Sequence, residues 1–97
     1  MDSQNSIEPV AMPGLTEGRI VHYVMENNKH RPAIIVSIWD HGTGIVNLQV
    51  FTDGSNDILG KTAGTEDVEI QNGIWWRTSI HFDTSGGINT WHWIEPA

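Results

Sequence analysis

The chain contains no cysteine, which excludes disulfide bonds, thiolate metal sites and a cysteine nucleophile. It has no run of 18 apolar residues, so no segment is long enough to form a membrane-spanning helix. Residues 1–14 lack a basic start followed by an apolar core, and we therefore expect no secretory signal. No stretch of useful length shows helical periodicity. The absence of cysteine fits a protein of a reducing cytoplasm.

Basic residues are also few, with 5 Lys and Arg against 12 Asp and Glu and a formal net charge of −7. No two basic residues are adjacent, whereas proteins that bind nucleic acid usually carry a basic patch. We therefore expect no nucleic acid partner. A small anionic ligand is not excluded, because one or two well-placed arginines can hold it.

Motifs of catalysis are missing as well. The chain has no nucleophile elbow, P-loop, dinucleotide fingerprint or paired-carboxylate motif. Ser79 and His81 share one face of a predicted strand, but the sequence places no third group beside them. We expect a protein that is not an enzyme and uses no cofactor.

Five histidines are the remaining metal candidates, and none has the spacing of a helical metal motif. They are His22, His30, His41, His81 and His92. Strand pairing can bring His22, His81 and His92 together, but we expect surface or hydrogen-bonded histidines and no metal site.

A long polar loop at 52–66 begins like a calcium loop, with oxygen-bearing side chains at 53–57. Ile58 and Gly64 stand where such a loop needs its glycine and its bidentate glutamate. A turn capped by its own Asp and Asn side chains is the better interpretation. A lid that closes over a ligand is the alternative function of this loop.

Six short segments have the alternation and the β-branched residues that are typical of strands. They cover 19–25, 32–39, 45–51, 68–71, 74–82 and 89–94. Asn72-Gly73 is a strong hairpin signal because both residues tolerate the positive φ of a tight turn. Five or six antiparallel strands predict an all-β domain over 18–97, either a small SH3-like barrel or a bent antiparallel sheet, with an OB-like barrel as second choice. Residues 1–17 are predicted to form a flexible, disordered N-terminal arm.

A period of two assigns the side chains to faces. The predicted core positions are Ile34, Val36 and Ile38, then Val46, Leu48 and Val50, then Ile74, Trp76, Ile80 and Phe82. Tyr23 is expected to lie with Val21 and Met25. Trp91 and Trp93 share a face, with His92 opposite.

Tryptophan is abundant, at five residues in 97, and Trp75 and Trp76 are adjacent, so they point to opposite faces of a strand. One of the two therefore lies outside the core. The predicted ligand-binding residues on that face are Trp75, Arg77, Asn47, Gln49, Trp39 and His81. A tryptophan can stack on a planar heterocycle, an amide can read its edge and an arginine can hold a phosphate. The alternative is a solvated face or a contact between copies, and we expect a homo-oligomer because apolar residues occur on both faces of one strand.

Three segments carry a resemblance to a known family. They read GRIVHYV at 18–24, VNLQVFTDGSND at 46–57 and TWHW at 90–93. Together they resemble a family of small uncharacterised proteins of tailed bacteriophages and prophages, over most of residues 18–96. The family's closing motif commonly continues with proline, where this chain has Ile94. The resemblance implies a viral protein that acts in the host cytoplasm or in the virion, and it assigns no residue roles.

Two functions from different classes follow as expectations. The first is a non-catalytic module that sequesters a small nucleotide immune signal of the host, an anti-defence sponge, by analogy with other small phage proteins. The second is a protein–protein interaction module, either a virion accessory protein or an inhibitor that docks on a host protein.

Overall fold

The computed structural model describes residues 12–57 and 73–95. Within these ranges it is all-β, as predicted, and has no α-helix. The strands are β1 (Ile20–Val24), β2 (His30–Asp40), β3 (Ile45–Phe51), β4 (Ile74–Phe82) and β5 (Thr90–His92), with one 3₁₀ turn at Gly54–Asp57. The predicted strand 68–71, most of the loop 52–66 and residues 1–11 of the predicted arm lie outside the described residues.

The five strands close into a barrel in chain order, which confirms the prediction of a small barrel. Strands β1 to β4 pair with their sequence neighbours antiparallel. β5 closes the barrel by pairing antiparallel with β1 and parallel with β4. That parallel pair departs from the expected antiparallel order, because β5 starts beside the end of β4, with His81 opposite Thr90, and runs onward in the same direction.

The core fills the barrel and is built around Trp91, which is fully buried. Its ring lies 4.7 Å from that of Phe82 and 5.0 Å from that of Trp93. Its indole Nε1 donates to the carbonyl oxygen of Gly44 at 2.7 Å, which satisfies the polar atom of a buried indole. The expected inward faces of β1 and β3 are confirmed, since these core residues are all buried: Val21, Tyr23, Met25, Val46, Leu48 and Val50.

Gly44 is required by the packing around Trp91. Its φ is 82°, a left-handed value that favours glycine. A Cβ atom there would lie 2.9 Å from the end of the Met12 side chain and 3.0 Å from Cβ of Phe82. Met12 and Leu15 belong to the stretch predicted as an arm, yet both pack against the core. The described part of that stretch, 12–17, is therefore part of the barrel's packing.

The predicted core face of β2 is wrong over most of its length. Ala33 and Ile35 are buried, whereas Val36 is 47% exposed and only Ile38 of the predicted set packs against the core. The reason is an irregularity in the β2–β3 register between Ile35 and Ser37, which inserts one residue and reverses the alternation. A strand rich in β-branched residues on both faces gives no sign of it in the sequence.

A second irregularity lies in β4 and has larger consequences. Leu48 pairs with Arg77 and Val46 pairs with Ile80, so two steps on β3 match three on β4. Ser79 takes a φ of 56° at this bulge. Both Trp75 and Ile80 therefore point into the core, although they are an odd number of residues apart. The predicted inward positions of Ile80 and Phe82 are right, and those of Ile74 and Trp76, which are exposed, are wrong.

Asn47 holds this bulge. Its Oδ1 accepts hydrogen bonds from Thr78 Oγ1 at 2.8 Å, from the Ser79 backbone N–H at 2.9 Å and from Trp39 Nε1 at 2.9 Å. Its Nδ2 donates to Ser37 Oγ at 3.1 Å. The buried amide thus joins the irregular parts of β2 and β4 across β3.

A buried ion pair fixes the 3₁₀ turn. Asp57 is 1% exposed and accepts two hydrogen bonds from Arg31, at 2.6 Å from Nε and 2.8 Å from Nη2. The Asp53 backbone N–H donates to the same carboxylate at 2.6 Å. The Arg31 hydrogen bonds lower the pKa of Asp57 below its ordinary value of 3.8. The predicted turn with its own Asp and Asn caps is therefore tied to the barrel wall.

We expect Asn47→Ala to lower the free energy of unfolding by about 2 kcal/mol, because it leaves the donors at the bulge without an acceptor. Gln49→Ala removes a half-buried amide two residues along the same strand and should change stability by about 0.5 kcal/mol or less. Urea denaturation of the three proteins checks this. Equal stability of the two variants would mean that Asn47 does not hold the bulge.

We expect Asp57→Asn to destabilise the fold by about 3 kcal/mol, because it leaves the Arg31 charge partly buried without its partner. Because the pKa of Asp57 is lowered on folding, its contribution is present above pH 3.8 and is lost as the pH falls below that value. Asp53→Asn, an exposed carboxylate in the same turn, is the control and should change stability little. Urea denaturation as a function of pH should show a smaller acid-induced loss in Asp57→Asn than in Asp53→Asn.

Candidate functional site

The six predicted ligand-binding residues do not form one patch. Trp75 and Arg77 were expected on the face opposite the core, and this prediction is wrong. Trp75 is 4% exposed and belongs to the core, because the bulge in β4 reverses the faces assumed from the sequence. The Arg77 guanidinium carbon lies 4.3 Å from the centre of the Trp75 ring, and Nε donates to the Tyr23 hydroxyl at 3.2 Å. The face of the buried Trp75 ring is therefore covered by the half-buried Arg77.

Of the other four predicted residues, Asn47 and Gln49 lie two residues apart on one face of β3. Trp39 is 66% exposed, and its indole N–H is bonded to Asn47, so these two residues do lie together. The Asn47 amide is buried and is already used by four hydrogen bonds, which leaves it unsuited to reading the edge of a ligand. Gln49 is half-buried on β3, and His81 is exposed on β4.

An outer row of side chains crosses four strands of the sheet. Ile20 pairs with Ile34, Ile34 with Gln49, and Gln49 with Trp76. Side chains at paired positions point to the same side of a sheet, so these four lie side by side. Sequence analysis missed the row because it placed Ile34 and Trp76 in the core.

A second apolar pair extends the row. Phe51 pairs with Ile74, and each lies two residues from a member of the row, which puts the pair on the same outer face. Four of these side chains are well exposed: Ile20 at 51%, Phe51 at 38%, Ile74 at 45% and Trp76 at 50%. We call Ile20, Ile34, Gln49, Phe51, Ile74 and Trp76 the apolar face. A contiguous apolar patch of this kind marks an interaction site more often than a solvated surface.

A second feature is a cluster of three histidines around one carboxylate. Glu95 Oε1 lies 2.7 Å from His22 Nδ1, and Oε2 lies 2.6 Å from His92 Nε2 and 3.3 Å from His30 Nδ1. The histidine ring centres are 4.8 to 5.9 Å apart. His22, His30, His92 and Glu95 form what we call the histidine–glutamate cluster.

Strand register explains how the cluster forms. His22 on β1 is paired directly with His92 on β5, and Val24 is paired with His30 across the first hairpin. His22 and His30 are therefore diagonal neighbours on one face of the sheet. Glu95 follows β5 by three residues and turns back over the rings.

The electrostatics of the cluster favour an ionised carboxylate. A hydrogen bond from its own backbone N–H and further bonds from His22 and His92 lower the pKa of Glu95 from 4.5 to about 2. His92 is the buried member, at 6% exposure, and its Nδ1 has no hydrogen-bond partner among residues 12–57 and 73–95. The cluster thus collects three ring nitrogens around a negative charge.

His22 and His92, two of the histidines that strand pairing was expected to bring together, are in contact. His81, the third, lies outside the cluster, and His30 and Glu95 take part instead. His30 had a usable signal. Asn27, Asn28 and Lys29 are typical of a turn, which would put residue 26 opposite 30 and hence 22 on the same face as 30. Glu95 had none, because it lies after the last strand.

The two adjacent tryptophans should respond differently to truncation. Trp75→Ala should destabilise the fold by about 3–5 kcal/mol, because it empties a core position. Trp76→Ala should change stability by about 1 kcal/mol or less, because its side chain is half exposed. Thermal and urea denaturation measure both effects. The reverse order would show that Trp76, and not Trp75, is the core residue.

Comparison with protein-family models, with curated proteins and with solved structures finds no match to this chain. Among the described residues, no helix is both long enough and apolar enough to cross a membrane.

Proposed function

We propose that the protein is a non-catalytic binding module that docks on another protein through its apolar face. One observation carries this proposal: a row of outward side chains runs across four strands and includes Trp76, which is 50% exposed. Tryptophan is enriched among the residues that dominate binding energy at interfaces.

The composition of the apolar face suits the centre of a protein interface. Its members are aliphatic or aromatic apart from Gln49, and none carries a charge. The cores of interfaces are depleted in charged residues and enriched in aromatic ones. An open strand surface also fits a broad partner better than a small molecule, which usually binds in a concave site.

Charge favours a partner of a different kind over a second copy. The chain carries a formal net charge of −7, so two copies repel each other at long range, whereas a protein with basic residues around an apolar patch is attracted. The predicted homo-oligomer stays a prediction, and the experiment below measures it. The phage origin, with action in the host cytoplasm or the virion, likewise stays a prediction.

The nucleotide-sequestering function also stays a prediction, with less support than protein docking. Its stacking plane, Trp75, is buried, and its arginine, Arg77, lies over that ring. Trp39 is the one tryptophan of the predicted ligand-binding set that is exposed, and it lies beside Asn47 and outside the apolar face. The two functions can therefore be separated by two tryptophan variants.

We expect Trp76→Ala to weaken binding to the protein partner about 30-fold or more, as truncation of a central interface residue does. Complexes are isolated from a bacterial lysate with each of three untagged proteins: the wild type, Trp76→Ala and Trp39→Ala. The partner is then purified and titrated with each protein. The expected result is a stoichiometric complex that is lost in Trp76→Ala, retained in Trp39→Ala and formed more slowly at high salt.

Three outcomes would overturn this proposal. A complex that survives Trp76→Ala and fails with Trp39→Ala would place the contact outside the apolar face. A stable dimer of the purified chain, dispersed by Trp76→Ala in sedimentation velocity, would assign the face to self-association. A nucleotide retained in native mass spectrometry, and lost with Trp39→Ala, would favour the sequestering function.

A further inference from the structure

We propose that the histidine–glutamate cluster binds one divalent transition-metal ion, with zinc as the favoured ion. His22, His30, His92 and Glu95 each offer one ligand atom, and these atoms lie within 4.8 Å of one another. The site shares no residue with the apolar face, and its function does not depend on the docking proposal. It also departs from the sequence expectation of no metal site, which considered His22, His81 and His92 as a group but not His30 or Glu95.

The donor set matches the chemistry of zinc. Zinc in proteins is bound by imidazole nitrogens at about 2.0–2.1 Å and by carboxylate oxygens at about 2.0–2.2 Å, usually with four ligands. Imidazole nitrogens suit zinc, copper and nickel, whereas calcium and magnesium prefer oxygen ligands. Three histidines and one glutamate therefore favour a transition metal and disfavour a calcium or magnesium ion.

The positions of the donor atoms are close to those of a coordination shell. Two ligands of a tetrahedral zinc ion are about 3.3–3.5 Å apart, as follows from bond lengths near 2.1 Å. The Glu95 oxygens lie 2.6, 2.7 and 3.3 Å from the three nitrogens. To reach this spacing, the Glu95 oxygens must draw back by about 1 Å, and the widest pair of donor atoms, at most 4.8 Å apart, must close by about 1.4 Å.

The cluster combines a rigid base with access from solvent. The side chain of His92 is 7% exposed. The preceding residue on β5, Trp91, is fully buried in the core. The side chains of His22, His30 and Glu95 are 25%, 38% and 49% exposed. An ion can therefore enter from the side of Glu95 and meet a nitrogen that the fold already holds in place.

The proposed ion lies at one of the two least paired seams of the barrel. β5 is joined to β1 by two residue pairs and to β4 by two more. The four ligands come from β1, β2, β5 and the segment after β5, so one ion links both sides of the β1–β5 seam. Four protein ligands make a closed coordination shell, which is typical of structural zinc sites. The ion should therefore stabilise the folded barrel.

Zinc binding to the untagged, chelator-treated protein tests this proposal. We expect one zinc ion per chain by isothermal titration and a rise of roughly 10 °C or more in Tm at a zinc concentration of 100 times Kd. His30→Ala and Glu95→Gln should each weaken zinc binding at least about tenfold, which is the scale of losing a ligand or its support. Both residues are partly exposed, so the variants are expected to fold, and circular dichroism and tryptophan fluorescence check this.

His81→Ala is the matched control, because His81 is an exposed histidine outside the cluster. It should bind zinc as the wild type does. Cobalt supplies a second readout, since a tetrahedral Co²⁺ site absorbs strongly in the visible range and an octahedral one weakly. Absence of stoichiometric zinc binding, equal binding in Glu95→Gln and the wild type, loss in His81→Ala, or a weak octahedral cobalt spectrum would each overturn the four-ligand site.

Discussion

The hydrogen bonds of the Asn47 side chain are the constraint on which the rest of the barrel depends. Its oxygen accepts three donors, among them the backbone N–H of Ser79, which lies in the left-handed region with a φ of 56°. A non-glycine residue there is costly unless its surroundings hold it. The amide satisfies the N–H that the bulge removes from the β3–β4 ladder. One side chain thus permits the insertion of one residue in β4.

That single insertion decides which tryptophan fills the core. Without it, β4 would have to choose between burying Trp75 and burying Ile80, because the two lie on opposite faces of a regular strand. With it, both are buried and Trp76 is left half exposed. The exposed Trp76 of the apolar face is therefore a consequence of burying both Trp75 and Ile80 in the core. Arg77, two residues after Trp75, lies on the same face of β4, over the Trp75 ring, and bonds to the Tyr23 hydroxyl.

The sequence predicted the elements better than the faces. The bounds of β3 and β4 agree with the predicted 45–51 and 74–82, because alternation and turn residues are local properties. The faces of β2 and β4 were wrong because a bulge shifts alternation by one residue, and its cause lies in a partner strand. Ile34 and Ile35 are equally apolar, so nothing local tells which is buried. The predicted ligand-binding set failed as a patch for the same reason, since it assumed regular alternation through Arg77.

β5 shows why the histidine–glutamate cluster was even less accessible from sequence. On this three-residue strand, Trp91 points into the core and His92 points to the opposite face. One short strand thus supplies the centre of the packing and the buried nitrogen of the cluster. Both contributions require that the last strand lie beside the first, a pairing of residues about 70 positions apart that no local pattern encodes. A partner on the apolar face would contact β1 to β4, and an ion would link β1, β2 and β5. Both ligands would bind the folded barrel, so each would stabilise the folded chain that the other binds.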